Sequence, residues 1–449
     1  VNLLRVPIAA LSGARGLATG LALLALLTLA SLPAPAAAAP ATDTPAFVPP
    51  PLATDGPPPV GPLPPAAAVA SAHPAATAAG HALLAAGGNA FDAAIAVAAA
   101  LAVVEPASSG LGGGGFFLVH RAADGWEGML DARETAPGAA TRDMYLGPDG
   151  EAIAAQSRDG ALAAAIPGLP EGLARLAADL GRLPLAQSLA PAIRLAEEGF
   201  AVTPRTVRML GFRRGVLARS PDAAALFLPD GEPLAAGALL RQPALAATLR
   251  ALAERGAAGF YSGEVAQRLT EGVRAAGGIW TQDDLAGYRS LWRRPVVGSH
   301  RGVRVVSAPL PSSGGVVLLQ ALNILEAAPL PPQGSVERVH RVTEALRRAY
   351  RDRAAWLGDP DFVQTPVARL LDKDYAASLA AGITPDRATP SEELPPLPAA
   401  RADYPNTTHF SVLDREGNRV AATLSINLPF GSGFMPPGTG VLLNDEMDD

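Results

Sequence analysis

The strongest alternation of polar and apolar positions lies near the carboxyl end. From His409 it runs through "HFSVL", breaks at Asp414-Arg415-Glu416-Gly417-Asn418, and resumes through "VAATLSINL". A period of two around a turn predicts a β-hairpin with one buried face. "GFFLVH" and "RGVRVVSAPL" read as further strands. Elsewhere the period is helical. "HPAATAAGHALLAAGG" predicts a helix closed by Gly87-Gly88, and Asn89 caps the next, with Asp92 in its first turn. The run behind that cap, "AAIAVAAALAVV", is apolar all round but far shorter than the ~20 residues of a membrane span, so it predicts a buried core helix. "LPLAQSLAPAIRLAEEGF" and "RQPALAATLRALAERGAAGFY" are amphipathic, and "SGGVVLLQALNIL" opens another helix. Helices and strands mix without regular βα alternation. The predicted class is therefore a layered α/β or α+β fold, not a barrel or a Rossmann sheet.

Composition narrows the chemistry. The 449 residues suffice for one large or two ordinary domains, and with 49% hydrophobic but 5% aromatic residues the core must be mostly Ala, Leu and Val. A net charge of −6 offers no basic field, which disfavours nucleic acid and anionic lipid as partners. The absence of cysteine excludes disulfides, thiolate nucleophiles and zinc–thiolate sites. Arg5 and Arg15 precede the apolar run Leu17 to Leu32, which ends in "PAPAAAAP". This predicts a cleavable export signal over residues 1–39, a periplasmic or secreted location, and no membrane span in the mature protein. Residues 40–66 read as a proline-rich linker, and the globular part starts at residue 67. A second linker-like stretch, Thr384 to Asn406, delivers the chain to Thr407.

Several motifs are weaker than they look. Gly110, Gly112 and Gly115 satisfy G-x-G-x-x-G, but a helix precedes them and a strand follows, the reverse of a dinucleotide fingerprint. They mark either a packing turn or a close approach of backbone. Ser312 and Ser313 open a helix and read as a plain N-cap. The six histidines lack metal-ligand spacing, and "DARE" at Asp131 to Glu134 is a short charged turn. Thr407 and Thr408 suit a strand without any further role. A different reading gives them chemistry. A threonine hydroxyl needs a base, and a free α-amine on the same residue can be that base. Thr407 gains the amine only if the bond from Asn406 is cut, and a proline-rich arm joined to a strand is the geometry such self-cleavage would want.

The segment "NTTHFSVLDREGNRVAATLSINLPFGSGFMPPGTGVLLNDEMDD" resembles the γ-glutamyltransferases, a family of N-terminal-nucleophile hydrolases. So do "GGNAFDAAIAVAAALAVVEPASSGLGGGGFFLVH", "DARETAPGAATRDMYL", "APLPSSGGVVLLQALNILE" and "AYRDRAAWLGDPDFV", in the family's order. The resemblance implies a four-layer αββα fold and a precursor cut into a large chain, residues 67–406, and a small chain beginning at residue 407. It implies Thr407 as nucleophile, with Ser425 as its hydroxyl neighbour. Asn427, Glu446 and Asp449 would hold the substrate's α-amino group, and Arg133 its α-carboxylate. The implied substrates are glutathione and other γ-glutamyl amides, with water, amino acids or peptides as acceptors, a heterodimer of the two chains, and no cofactor or metal. Family members continue beyond the position of Asp449, with a serine pair and the glycine pair of the oxyanion hole. The small chain is therefore expected to be incomplete here, and "GVLLN" is expected to be a strand short of partners. Two rivals are an acylase of the same superfamily and a non-catalytic exported amino-acid-binding protein.

Overall fold

The computed structural model describes residues 47–49, 63–394 and 407–449. The expected signal segment, most of the proline-rich linker and Asn406 lie outside the described residues. A short strand β1 (Ala68–Ala70) leads into helix α1 (Pro74–Ala85), which ends before Gly87 at φ +89° as its sequence predicts. Helix α2 (Ala90–Val104) follows. The Asn89 side chain accepts from the Phe91 and Asp92 amides (2.9 and 3.0 Å), and Asp92 accepts the Asn89 N–H (2.9 Å), a reciprocal capping box. All fifteen residues of α2 are buried. Their small side chains let neighbouring elements approach on every side, so the all-apolar run is a core helix.

The main sheet has six strands, all antiparallel: β1, β2 (Gly114–Arg121), β3 (Trp126–Ala132), β4 (Leu291–Arg293), β7 (Thr408–Leu413) and β8 (Arg419–Ser425). Their spatial order is β1-β7-β8-β2-β3-β4. The predicted hairpin is thus β7 and β8, paired Leu424 to Thr408, Ala422 to Phe410 and Val420 to Val412. It sits between β1 and β2. Its turn is stitched to earlier chain: Asp414 Oδ2 accepts the Ala90 N–H, and Asn418 Oδ1 accepts the Ala122 N–H, both at 2.9 Å.

Period-two patterning separates the faces. Phe117, Val119, Leu130, Phe410, Val412, Val420, Ala422 and Leu424 are at most 3% exposed, on the side covered by α2 and α3 (Leu169–Leu180). These side chains belong to one continuous hydrophobic core, each Å² of apolar surface removed from water being worth ~25 cal/mol. The other face carries Phe116, Leu118, Met129, His409, Thr423 and Ser425 toward a pocket. Across that pocket, β5 (Val296–His300) and β6 (Val303–Ser307) form a two-stranded sheet backed by α4 (Gly314–Glu326) and, behind it, α5 (Val336–Trp356). The fold is mixed α/β. Among the described residues, this hairpin is one of two two-stranded sheets; the other pairs Phe200–Ala201 with Leu239–Leu240.

Two expectations need correction. "GVLLN" is not a strand waiting for partners. Val441, Leu442 and Leu443 are buried in irregular backbone, with one bridge from Leu443 to Gly112. Ser313 is not a conventional N-cap. Its backbone is already helical (φ −73°, ψ −18°), and its hydroxyl accepts from Arg353 Nε (2.9 Å) instead of a helix amide. Of the two readings of the glycine run, close approach holds. A Cβ on Gly112 would lie 2.0 Å from the Leu442 carbonyl oxygen, and one on Gly113 would lie 2.2 Å from that of Ser425.

Candidate active site

Thr407 precedes the first residue of β7 and is exposed, opposite Ser425 at the end of β8. The two hydroxyl oxygens are 3.4 Å apart. The Asn427 N–H donates to Ser425 Oγ (2.9 Å), which leaves the Ser425 O–H available to point at Thr407. Thr408, by contrast, faces the core, and its buried hydroxyl has no hydrogen-bond partner.

Beyond Ser425 the chain turns through left-handed backbone, Asn427 at φ +68° and Phe430 at φ +61°. Asparagine tolerates this region; a bulky aromatic does so only when held. Arg213 supplies the hold, donating to the carbonyls of Pro429 (3.1 Å) and Gly431 (2.8 Å), while the Phe430 ring packs 5.4 Å from Phe227. The turn is then fastened to residues 444–446. Asn427 Nδ2 donates to the Asp445 carbonyl (3.1 Å), and the Leu428 N–H donates to Asp445 Oδ1 (3.0 Å). Asn444 anchors that segment. Its amide donates to the Gly112 and Ala165 carbonyls (2.7 and 2.8 Å) and accepts the N–H groups of Ala165 and Glu446 (both 3.0 Å).

Arg133 enters from the end of β3. Its N–H donates to Asp131 Oδ1 (3.0 Å), and its carbonyl accepts the Tyr288 hydroxyl (2.8 Å). Its Nη2 lies 2.7 Å from both Glu446 Oε2 and Asp449 Oδ2. Three carboxyls crowd this guanidinium. Burial, reinforced by repulsion from Glu446, pushes the Glu134 carboxyl well above the ordinary range. Burial also raises Glu446 to about 7 against the pull of Arg133, and Asp445 to about 8. The Arg133 guanidinium does not offset the burial of Glu134 and Glu446, and Arg213 does not offset that of Asp445.

Thr407, Ser425, Asn427, Arg133, Glu446 and Asp449 therefore line one pocket of about 460 Å³, a size suited to a small ligand. The lining combines the hydroxyl pair with the charged cluster. Asn406 lies outside the described residues. Glu134, Asp445 and Tyr288 escaped sequence reasoning. The acid next to Arg133 and the run of acids after Asn444 were visible signals for the first two; Tyr288, 155 residues away, had none. Among the described residues, no group of three or more His, Asp or Glu side chains is placed to hold a metal ion.

Residues 76–449 match the gamma-glutamyltranspeptidase family profile. The "Glutathione hydrolase proenzyme" of Pseudomonas sp. (strain A14) is 46% identical over 362 residues, 80% of this chain and 62% of that protein. The "Acylase ACY 1 proenzyme" of Pseudomonas sp. (strain SE83) is 42% identical over 364 residues, 79% of this chain and 64% of that protein. The crystal structure of Helicobacter pylori gamma-glutamyltranspeptidase superposes with a TM-score of 0.71 at 41% identity, covering 73% of this chain and 94% of that chain. The chain thus spans a little over three fifths of the curated relatives' length. The backbone match and the sequence match agree, and the chain belongs to the gamma-glutamyltranspeptidase family of N-terminal-nucleophile hydrolases.

Proposed function

We propose that this chain is part of an exported proenzyme that cuts itself between Asn406 and Thr407 and then acts on γ-glutamyl amides such as glutathione. The observation that carries the reading is the division of one pocket between a hydroxyl pair, Thr407 and Ser425 at 3.4 Å, and a guanidinium–carboxylate cluster. The complete protein would have the four-layer αββα form, with the small chain filling out the second sheet.

After scission the Thr407 amine, with a pKa of about 7.7–8.0, has a neutral fraction near pH 7. It takes the proton as Thr407 Oγ1 adds to the γ-carbonyl carbon. The C–N bond then breaks, the departing amine leaves with that proton, and a γ-glutamyl ester remains on Oγ1. Water or an incoming amine attacks the ester and restores the hydroxyl. At the other end, the α-carboxylate meets the Arg133 fork and the ammonium meets Glu446, Asp449 and the Asn427 amide oxygen. The amino-acid head thereby replaces the contacts those side chains make with one another. Similarity to a protein named an acylase supports a second reading, hydrolysis of glutaryl or other acyl amides. An acyl group without an ammonium would leave two carboxylates of the cluster unanswered, which favours the γ-glutamyl reading.

Intact mass and N-terminal sequencing of the full-length protein test the cut, and γ-glutamyl anilide against glutaryl anilide tests the head group. An active enzyme that remains one uncut chain would end this reading; a preference for the glutaryl substrate would establish the acylase instead.

A further inference from the structure

Arg293 has no assigned part in this chemistry, and it does not line the pocket. It lies on edge strand β4, opposite Met129 of β3. Its guanidinium joins two acids: Nε donates to Asp131 Oδ2 (2.6 Å), while Nη1 and Nη2 donate to the two oxygens of Asp361 (3.0 and 2.7 Å). Asp131 is 6% exposed, and its other oxygen receives the Arg133 N–H. We infer that Arg293 is a positioning residue for Arg133: it holds the Asp131 carboxylate in the place that fixes the Arg133 backbone.

The argument is one of charge and geometry. A carboxylate buried at Asp131 needs a cation or it neutralises. Burial raises this carboxyl, and its hydrogen bond from Arg293 is the largest opposing influence. Without Arg293 the carboxylate loses the Nε–H that fixes its orientation, and its hold on the backbone N–H of Arg133 loosens. The carbonyl side of Arg133 stays tied to Tyr288, so the residue pivots instead of leaving. A pivot of the Arg133 backbone swings the end of a long side chain away from a bidentate fit. Asp361 matters less directly. Its two bonds orient the guanidinium so that Nε faces Asp131, and Asp361 is braced in turn through its N–H on Asp359 Oδ1 (2.9 Å).

The inference rests on the reading of Arg133 as the group that meets the substrate's α-carboxylate, and its test separates the two. In the full-length protein, Arg293→Met, Arg293→Lys and Asp361→Asn are compared with wild type for self-cleavage. The same proteins are compared for kcat and KM on γ-glutamyl anilide and on its α-carboxamide analogue. Self-cleavage at Thr407 makes no use of Arg133 and reports folding. The expected result for Arg293→Met is normal cleavage, kcat within about twofold, and KM for the carboxylate substrate raised about tenfold. The carboxylate-to-carboxamide preference should fall by the same factor, with Arg293→Lys intermediate and Asp361→Asn mildest. A purely structural role would not change that preference. Cleaved Arg293→Met with unchanged preference overturns the inference. If Arg293→Met fails to accumulate, Arg293→Lys decides: a reduced preference supports the inference and an unchanged one overturns it. A wild type that cleaves itself but does not favour the carboxylate overturns the reading of Arg133, and this inference with it.

Discussion

Arg133 is tied at its N–H, its carbonyl and its guanidinium, whereas Thr407 stands exposed at a strand end and meets Ser425 at 3.4 Å. In the proposed reaction the charged cluster and the hydroxyl pair have different tasks. Recognition of a small charged head requires fixed donors and acceptors, because a misplaced charge in a desolvated site costs more than it returns. A nucleophile must move toward the carbonyl, and catalytic hydrogen bonds commonly tighten only when the reacting groups are in place. The rigid end is also the expensive one. It crowds Glu134, Glu446 and Asp449 around one guanidinium, with burial raising the first two, and it depends on a turn with two left-handed non-glycine residues.

The comparison is broken most completely at its loose end. Thr407→Ala removes the proposed nucleophile, so both self-cleavage and anilide hydrolysis should fall by on the order of 10⁴-fold or more. Intact mass and a progress curve read this directly. At the rigid end, Arg133→Lys retains charge but loses the fork. KM for γ-glutamyl anilide should rise by an amount equivalent to about 1.5–3 kcal/mol, with cleavage unaffected. Equal KM values for wild type and mutant would remove the carboxylate contact from the scheme.

The raised carboxyls give a pH signature with a definite sign. Glu446 holds its proton up to about 7, so it gains charge as pH rises, and affinity for an ammonium-bearing substrate should improve. KM should fall several-fold between pH 6 and pH 8, and Glu446→Gln should flatten that slope. Stability moves the other way. Between the ordinary carboxylate range and about pH 7 to 8, the folded protein binds more protons at Glu446 and Asp445 than the unfolded chain does. Both groups then lower stability as pH rises through that window. Melting temperature measured across it should decline, and less so in Asp445→Asn. The smallest effect is expected at Thr408→Val. Deleting a buried hydroxyl that has no partner should be neutral or stabilising by up to about 1 kcal/mol, with cleavage retained. Adjacent threonines would then differ by the full range of the series.

How much of this was legible beforehand depended on sequence distance. The hairpin and the capped helix each announce themselves within a few residues, through period and cap, whereas the glycine run leaves two readings open until the Leu442 and Ser425 carbonyls are seen against it. The six residues named for the site also converge, because a family resemblance supplied what local pattern could not. "GVLLN" departs from expectation because a short apolar run cannot by itself say whether it is a strand or buried irregular backbone; its pairing is a single bridge to Gly112, 331 residues earlier. Ser313 was misread because a helix can begin one residue before its apparent cap. Tyr288 and Arg293 act through backbone and carboxylate contacts across 155 and 162 residues, and nothing local marks them.

The position of the β7–β8 hairpin between β1 and β2 bears on what happens after a cut ahead of Thr407. Strand pairing on both flanks, with the turn bonded to Ala90 and Ala122, would keep the new amino end in place. Dilution alone should not part the two pieces. Their assembly, however, was written while they were one chain, when the hairpin had the high effective concentration of a tethered strand. Once the tether is gone, the return journey is bimolecular and must open a finished sheet to insert its middle strands. The uncut protein should therefore refold after denaturation far more readily than the cut one, whose persistence becomes a matter of how slowly it unfolds.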